Sequence, residues 1–146
     1  MNILSHRLAS NDDFDFLFDL KKAAEGDSVA RIWGWDEALQ FSIHQEELAA
    51  ALPQIIEHDG QPIGCFLFEV HEDHCYFSRF FILPAYQGKG IGSHILKENL
   101  AIAQEMGKPV RLCYLQGNRV EVLYRAFGFE YVREDEHFVY MVREHD

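Results

Sequence analysis

Six residues, Gln87-Gly88-Lys89-Gly90-Ile91-Gly92, place three glycines on alternate positions between an apolar run and a helical pattern. Such a loop can hold phosphate. Glycine lets the backbone approach a ligand closely, and successive N–H groups can converge on one anion. Because the loop opens a helical pattern, free amides and the positive end of the helix dipole face the same way. Lys89 adds mobile positive charge at the rim, and Ser93 follows directly.

Three phosphate-binding patterns compete for this loop. A nucleoside-triphosphate loop needs a lysine and a hydroxyl residue straight after its last glycine, to reach the terminal phosphates and hold magnesium. Here Lys89 lies between glycines, and Ser93 has no lysine before it. The dinucleotide fingerprint spaces its glycines one-three-six, whereas Gly88, Gly90 and Gly92 are spaced one-three-five. The strand expected at 109–116 also lacks an acidic residue at its end to hold a ribose hydroxyl. The third pattern, Gln/Arg-x-x-Gly-x-Gly/Ala, describes a pyrophosphate cradle and is matched at every specified position. A plain strand-to-helix turn is the alternative for a lone match.

A second cluster, 71-HEDHCYF-77, has the residue types of a metal site. A tight turn between strands points such neighbours in divergent directions, and no second ligand cluster accompanies it, so no metal is expected.

The elements that must position the loop follow from periodicity. Residues 3–9 read as a short strand, Asn11 as an N-cap, and 12–31 as a helix with apolar residues at Phe14, Leu17, Phe18, Leu20 and Ala24. A second helix runs over 36–52 and stops before Pro53. Asp59-Gly60 between two apolar runs signals a hairpin, a turn at His71–His74 follows, and 75–83 reads as a buried strand. Ile91, Ile95, Leu96, Leu100, Ala103 and Met106 form one stripe of a helix ending at Gly107. A strand at 109–116 comes next, then a short helix capped by Asn118 with Glu121 and closed by Gly128, then two strands around Glu134–Glu136. The order is β-α-α-β-β-β-α-β-α-β-β. It predicts an α/β (α+β) fold, a central mixed and mostly antiparallel sheet with helices on both faces, as one domain over 1–146.

Composition narrows the function classes. A net charge of −11 repels nucleic acid backbones and anionic lipid, and favours cationic small molecules or basic peptides. No apolar run of membrane-spanning length and no signal peptide is read, and the odd set Cys65, Cys75 and Cys113 reads as reduced core thiols of a cytoplasmic protein.

With these residues in view, the sequence resembles the GNAT superfamily of N-acetyltransferases, which use acetyl-CoA. FFILPAYQGKGIGSHIL is similar to that family's fourth strand, pyrophosphate loop and following helix. GNRVEVLYRAFGFE is similar to its later asparagine-and-tyrosine segment. The likeness is specific over about residues 75–132 and topological before that.

The resemblance implies a bulged fourth strand whose exposed backbone at Phe81, Ile82 and Leu83 holds the pantetheine arm of coenzyme A. It implies that Gln87, Gly88, Lys89, Gly90, Ile91, Gly92 and Ser93 hold the diphosphate, with Asn118 near the arm. Tyr124 would protonate the departing thiolate as general acid. No metal and no covalent enzyme intermediate are implied; a primary amine of a small molecule or basic peptide attacks the thioester directly. Several relatives carry a glutamate on strand four as base, where this chain has Ser78. Asp36, Glu37 or His44 could serve instead. In 31-RIWGWDEALQF-41, Trp33, Trp35, Asp36 and Glu37 suit a cationic acceptor, through ring faces and carboxylates. Helix packing by the two tryptophans beside a solvated acidic helix start explains the same residues. A catalytically weak acyl-CoA-binding or regulatory domain is the alternative function, and the C-terminal strands offer an edge for a homodimer.

Overall fold

A computed structural model of the chain describes residues 3–144, so the two residues at each end of the expected 1–146 domain lie outside the described residues. The elements are β1 (Leu4–Leu8), α1 (Phe14–Trp33), α2 (Glu37–Ala50), β2 (Gln54–His58), β3 (Gln61–Val70), β4 (Cys75–Ile82), α3 (Ile91–Glu105), β5 (Val110–Leu115), α4 (Glu121–Ala126), β6 (Glu130–Glu134) and β7 (Phe138–Arg143). Their order is the one read from periodicity. The strands form one seven-stranded sheet in the order β1-β2-β3-β4-β5-β7-β6. It is mixed: β1–β2, β2–β3, β5–β7 and β6–β7 are antiparallel, while β4–β5 is parallel. The parallel register is short, Cys75 opposite Val110 and Tyr76 opposite Arg111.

The described residues group into two compact units, to each of which β3 and β4 contribute. One contains the chain up to Leu67 together with Arg79–Gln87. Its β2–β3 hairpin turns through Asp59 and Gly60, both left-handed at φ 52° and 81°, the geometry that a two-residue primed turn demands. Ala9, Leu17, Leu20, Ile55 and Cys65 are buried together, with Phe16, Leu48, Leu52, Phe81 and Leu83 packed against them. The entry to α1 differs from expectation. Ser10, not Asn11, is the cap: it closes a capping box with Asp13 over a short 3-10 turn, Asn11–Asp13, that leads into the helix. Buried Asp13 takes a two-pronged bond from Arg7 at 2.8 and 2.9 Å, which draws the cap inward. Gly34, at φ 78°, ends α1.

The other unit holds Phe68–Ser78 and the chain from Gly88 onward. Ile91, Ile95, Leu96, Leu100 and Ala103 make the buried face of α3. Each large side chain removed from water contributes roughly 1.5–3 kcal/mol. Val110, Leu112, Leu115, Phe129 and Met141 are buried from the strands and the turn after α4. The N-terminus of α4 corrects a second expectation. Its N-cap is Val120, with no side-chain cap bond, so Asn118 and Glu121 form no capping box. Asn118 instead closes the turn after β5, donating its amide to the Leu115 carbonyl at 3.1 Å. Among the described residues no helix is long and apolar enough to cross a membrane, and no group of His, Cys, Asp and Glu could hold a metal ion.

Candidate active site

The strand before the glycine loop is not regular. Arg79, in mid-β4, stands at φ 49°, a left-handed conformation that costs a bulky residue energy and bends the strand as a bulge does. Its surroundings hold it there. The Arg79 carbonyl accepts the Cys65 thiol proton at 3.1 Å, and the guanidinium donates to the Glu47 and Ala51 carbonyls at 3.1 and 2.9 Å. These are carbonyls of the last turn and C-cap of α2, where a cation satisfies orphan acceptors and opposes the dipole. Burial pushes the Cys65 thiol up to about 12. Opposite the bend, a Cβ on Gly64 would collide with the Phe81 carbonyl oxygen, so β3 and β4 meet there at glycine contact.

Beyond the bend the strand keeps one side for β3. The Leu83 amide donates to the Ile63 carbonyl at 2.8 Å. Strand alternation turns the amide of Ile82 to the other edge. The Ile82 carbonyl takes the Gln87 side-chain amide at 2.9 Å, so the first residue of the loop is tied to the end of β4. The backbone of Phe81, Ile82 and Leu83 and the side chain of Gln87 are thus brought together.

The loop owes its shape to two glycines. Gly88 and Gly90 stand at φ 74° and 82°, and a Cβ at either would meet open space, so it is backbone conformation that calls for glycine. Gly90 is also the N-cap of α3 and carries no side-chain cap. The first helical bond runs from His94 N–H to the Gly90 carbonyl at 3.0 Å. The amides of Ile91, Gly92 and Ser93 therefore precede the helical ladder and point out of the helix start. Lys89 is exposed beside them.

Tyr124 lies on α4 and is buried, its ring 6.1 Å from Tyr114 and 5.6 Å from Phe129. Asn118 is half-buried in the wall of a cavity of about 490 Å³ that Tyr114, Glu121, Tyr131 and Glu134 also line. Glu134 is held by the Tyr131 hydroxyl and the Gln116 side-chain amide, each at 3.2 Å.

The acidic aromatic segment between α1 and α2 is already knitted to itself. Glu37 accepts from Lys22 at 2.9 Å and from the Trp35 ring N–H at 3.2 Å, and these bonds hold its carboxyl below the ordinary value. Lys22 also stands over the Trp35 ring at 5.6 Å. Asp36 caps α2, accepting from the Leu39 amide at 3.0 Å. Trp33 is exposed. His44 is buried between Phe14 and Phe18, its Nε2 3.3 Å from the Phe14 carbonyl, and burial makes it less basic than a free imidazole.

One group escaped the reading of the sequence. Glu25, in mid-α1, is largely withdrawn from water, which pushes its carboxyl up to about 7. Lys21 on its own helix opposes that shift and Glu47 of α2 adds to it. The signal was available: Leu17, Lys21 and Glu25 follow each other at one-turn spacing from a buried leucine.

Residues 52–131 match the acetyltransferase (GNAT) domain family. No protein of curated function matches the sequence. Among solved structures, the chain is similar to the PaiA N-acetyltransferase of Thermoplasma acidophilum, solved in complex with coenzyme A, at 20% identity and TM-score 0.76, covering 98% of this chain and 99% of that one. An acetyltransferase from Thermus thermophilus is similar at 15% identity and TM-score 0.76, over 97% and 96% of the two chains. The ribosomal-protein-S18-alanine N-acetyltransferase of Escherichia coli is similar at 16% identity and TM-score 0.70, over 99% and 94%. At these identities the likeness establishes a shared fold. The family match covers more than half of the 146 residues, and with the element order, the strand bend and the glycine loop it gives the conclusion that the chain belongs to the GNAT acetyltransferase family.

Proposed function

We propose that the protein is an N-acetyltransferase that moves the acetyl group of acetyl-CoA to a primary amine of a small molecule or basic peptide, and that it does so as one catalytic domain over 1–146. The observation that supports this reading is the loop Gln87–Gly92: two left-handed glycines lead into the uncapped first amides of α3, which would converge on one anion. Gly88, Lys89, Gly90, Ile91, Gly92 and Ser93 would hold the diphosphate through backbone N–H groups and one mobile ammonium. Gln87 fixes the loop to β4. Phe81, Ile82 and Leu83 would pair with the pantetheine arm, the outward amide of Ile82 serving as the donor. Acetyl-CoA supplies a thioester carbon open to direct attack by a neutral amine, and no metal is needed. Asn118 would lie near the arm, and Tyr124 would give its phenol proton to the departing thiolate.

The acceptor would meet the exposed ring of Trp33 and the acidic start of α2 around Trp35, Asp36 and Glu37, to which the overall negative charge draws a cation. A cytoplasmic setting and a homodimer through a sheet edge complete the reading. A second reading has its own support: Glu37 is already paired with Lys22, and Ser78 stands where relatives carry a base. It makes the chain a catalytically weak acyl-CoA-binding or regulatory domain.

Thermal unfolding with and without acetyl-CoA, followed by thiol release over a panel of amines, tests the choice. Saturation at 100 times Kd should add about 2.7 kcal/mol of stability. Stabilisation with thiol release supports the enzyme, stabilisation without release supports the regulatory domain, and no stabilisation removes both.

A further inference from the structure

The cavity of about 490 Å³ beside Asn118 lies wholly within one of the two compact units. Its floor is a sheet face. Tyr114 of β5 stands opposite Val139 of β7, and Val139 stands opposite Glu134 of β6, so the three side chains share one side of the sheet. Tyr131 lies three residues before Glu134 and on a regular strand would face away from it. A register shift between Tyr131 and Arg133 takes up one residue and returns Tyr131 to the floor. There its hydroxyl donates to Glu134 at 3.2 Å. Bulges that re-aim a side chain in this way recur beside functional sites. The facing wall is the turn after β5 and the first turn of α4, with Arg119, Glu121 and Val122.

The charges of this cavity are answered unevenly. Glu121 meets Arg125 of its own helix at 3.3 Å. Glu134 accepts from Tyr131 and from the Gln116 side-chain amide, and both of those partners are neutral. The other face of the same hairpin shows what a tyrosine bonded to a carboxylate attracts. Arg133, which the bulge turns to that face, holds its guanidinium carbon 3.9 Å from the centre of the Tyr140 ring, and the Tyr140 hydroxyl donates to Asp135 at 2.7 Å. Tyr131 and Glu134 repeat that pair inside the cavity, where a ligand can supply the planar cation. Arg119, exposed on the facing wall, presents a fork that suits a carboxylate. A molecule with a planar cation at one end and a carboxylate at the other matches both walls.

We propose that this cavity binds a small guanidino acid, its guanidinium lying against Glu134 and the rings of Tyr131 and Tyr114, its carboxylate meeting Arg119. The volume is that of a small-molecule site. A ligand with a second cation in place of the carboxylate would be repelled by Arg119. The inference goes beyond the N-acetyltransferase reading and does not need it, since neither the glycine loop nor Phe81–Leu83 takes part. Occupancy also bears on the proposed acid, because Tyr114 lines the cavity and its ring lies 6.1 Å from that of Tyr124.

Amide NMR titration with 4-guanidinobutyrate tests the site, beside n-butylguanidine, which lacks the carboxylate, and 4-ureidobutyrate, which lacks the cation. The first should shift amides within 114–122 and 131–139 with a Kd of about 1 mM or tighter. Glu134→Gln should weaken 4-guanidinobutyrate and n-butylguanidine about three- to tenfold and leave 4-ureidobutyrate within about twofold. Arg119→Gln should weaken 4-guanidinobutyrate and 4-ureidobutyrate by a similar factor and leave n-butylguanidine unchanged. Both side chains are exposed, and amide spectra that match wild type away from the cavity show that the fold survives. No shift up to about 10 mM ligand, shifts confined to other residues, or equal loss of all three probes in either variant overturns the assignment. Loss of 4-guanidinobutyrate binding in saturating coenzyme A also overturns it, by giving the cavity to the cofactor.

Discussion

The guanidinium of Arg79 donates to the carbonyl of Ala51 at 2.9 Å while its own backbone sits at φ 49°. One residue thereby closes the C-terminus of α2 and fixes the bend in β4. The strain of the bend, about 1–3 kcal/mol, is outweighed by bonds made far along the chain. Arg79→Met should cost about 2–4 kcal/mol in urea unfolding, because it frees the last α2 carbonyls and leaves Glu47 with one cation. Arg79→Lys should recover only part, since one ammonium cannot span two carbonyls and a carboxylate. Equal stability for Arg79→Met and wild type would show that the bend holds without the side chain.

Gly64 makes a steric claim rather than a conformational one. Gly64→Ala should lower stability by about 1–3 kcal/mol, since the added carbon meets the Phe81 carbonyl, a backbone atom with little freedom to retreat. Paired with acetyl-CoA titration, the same variant should weaken cofactor binding, because the strand segment after the bend must shift.

The loop glycines behave in the opposite way. Alanine at Gly88 or Gly90 meets open space, so each change should cost only about 1 kcal/mol, from the left-handed backbone. The larger effect should fall on affinity for acetyl-CoA, read by calorimetry. Tyr124→Phe should leave that affinity within about threefold and reduce kcat about 10²-fold or more. Loss of affinity without loss of kcat would assign Tyr124 to packing, which its contacts with Tyr114 and Phe129 already serve.

Stability should also carry the mark of Glu25. A carboxyl raised from 4.5 to about 7 binds its proton more tightly in the folded chain than in the unfolded one. Its contribution is complete below pH 4.5 and fades as pH rises through about 7. Urea midpoints at pH 5 and pH 8 should therefore show wild type losing up to about 3 kcal/mol relative to Glu25→Gln. Parallel behaviour of the two proteins would place the carboxyl in water. Asp13 works the other way: Arg7 holds its carboxyl below 3.8, so its contribution is present above that value and disappears only as pH falls through the lowered one. Asp13→Asn should blunt the acid limb.

Where one short stretch carries both pattern and cause, sequence was enough. Asp59-Gly60 dictates its own turn, and the stripe from Ile91 to Ala103 dictates its own buried face. Reading ran out where the cause is remote. Asn118 has the type and spacing of a cap, yet the chain turns back to Leu115 and the helix begins at Val120. Asn11 lost the capping role to Ser10 because Arg7 pulls Asp13 inward. No local signal announces a left-handed arginine inside a strand, since what holds Arg79 there sits 28 residues away at Ala51. Within the site the same division holds. The glycine loop is local and was legible; the spacing of Leu17, Lys21 and Glu25 marks a helix face, but not how far the Glu25 carboxyl is withdrawn from water.

The three thiols have a practical bearing on how turnover can be followed. Cys65 and Cys75 are buried with their proton affinity raised, and Cys113 is half-covered and shares a 3.1 Å contact with the Tyr76 hydroxyl. Alkylating or disulfide-exchange dyes react with thiolates, so at neutral pH Cys65 and Cys75 should stay dark on the time scale of an assay. A chromogenic reagent would then report coenzyme release in real time, with Cys113 setting the background, and any sudden gain in labelling would mark the moment the sheet opens.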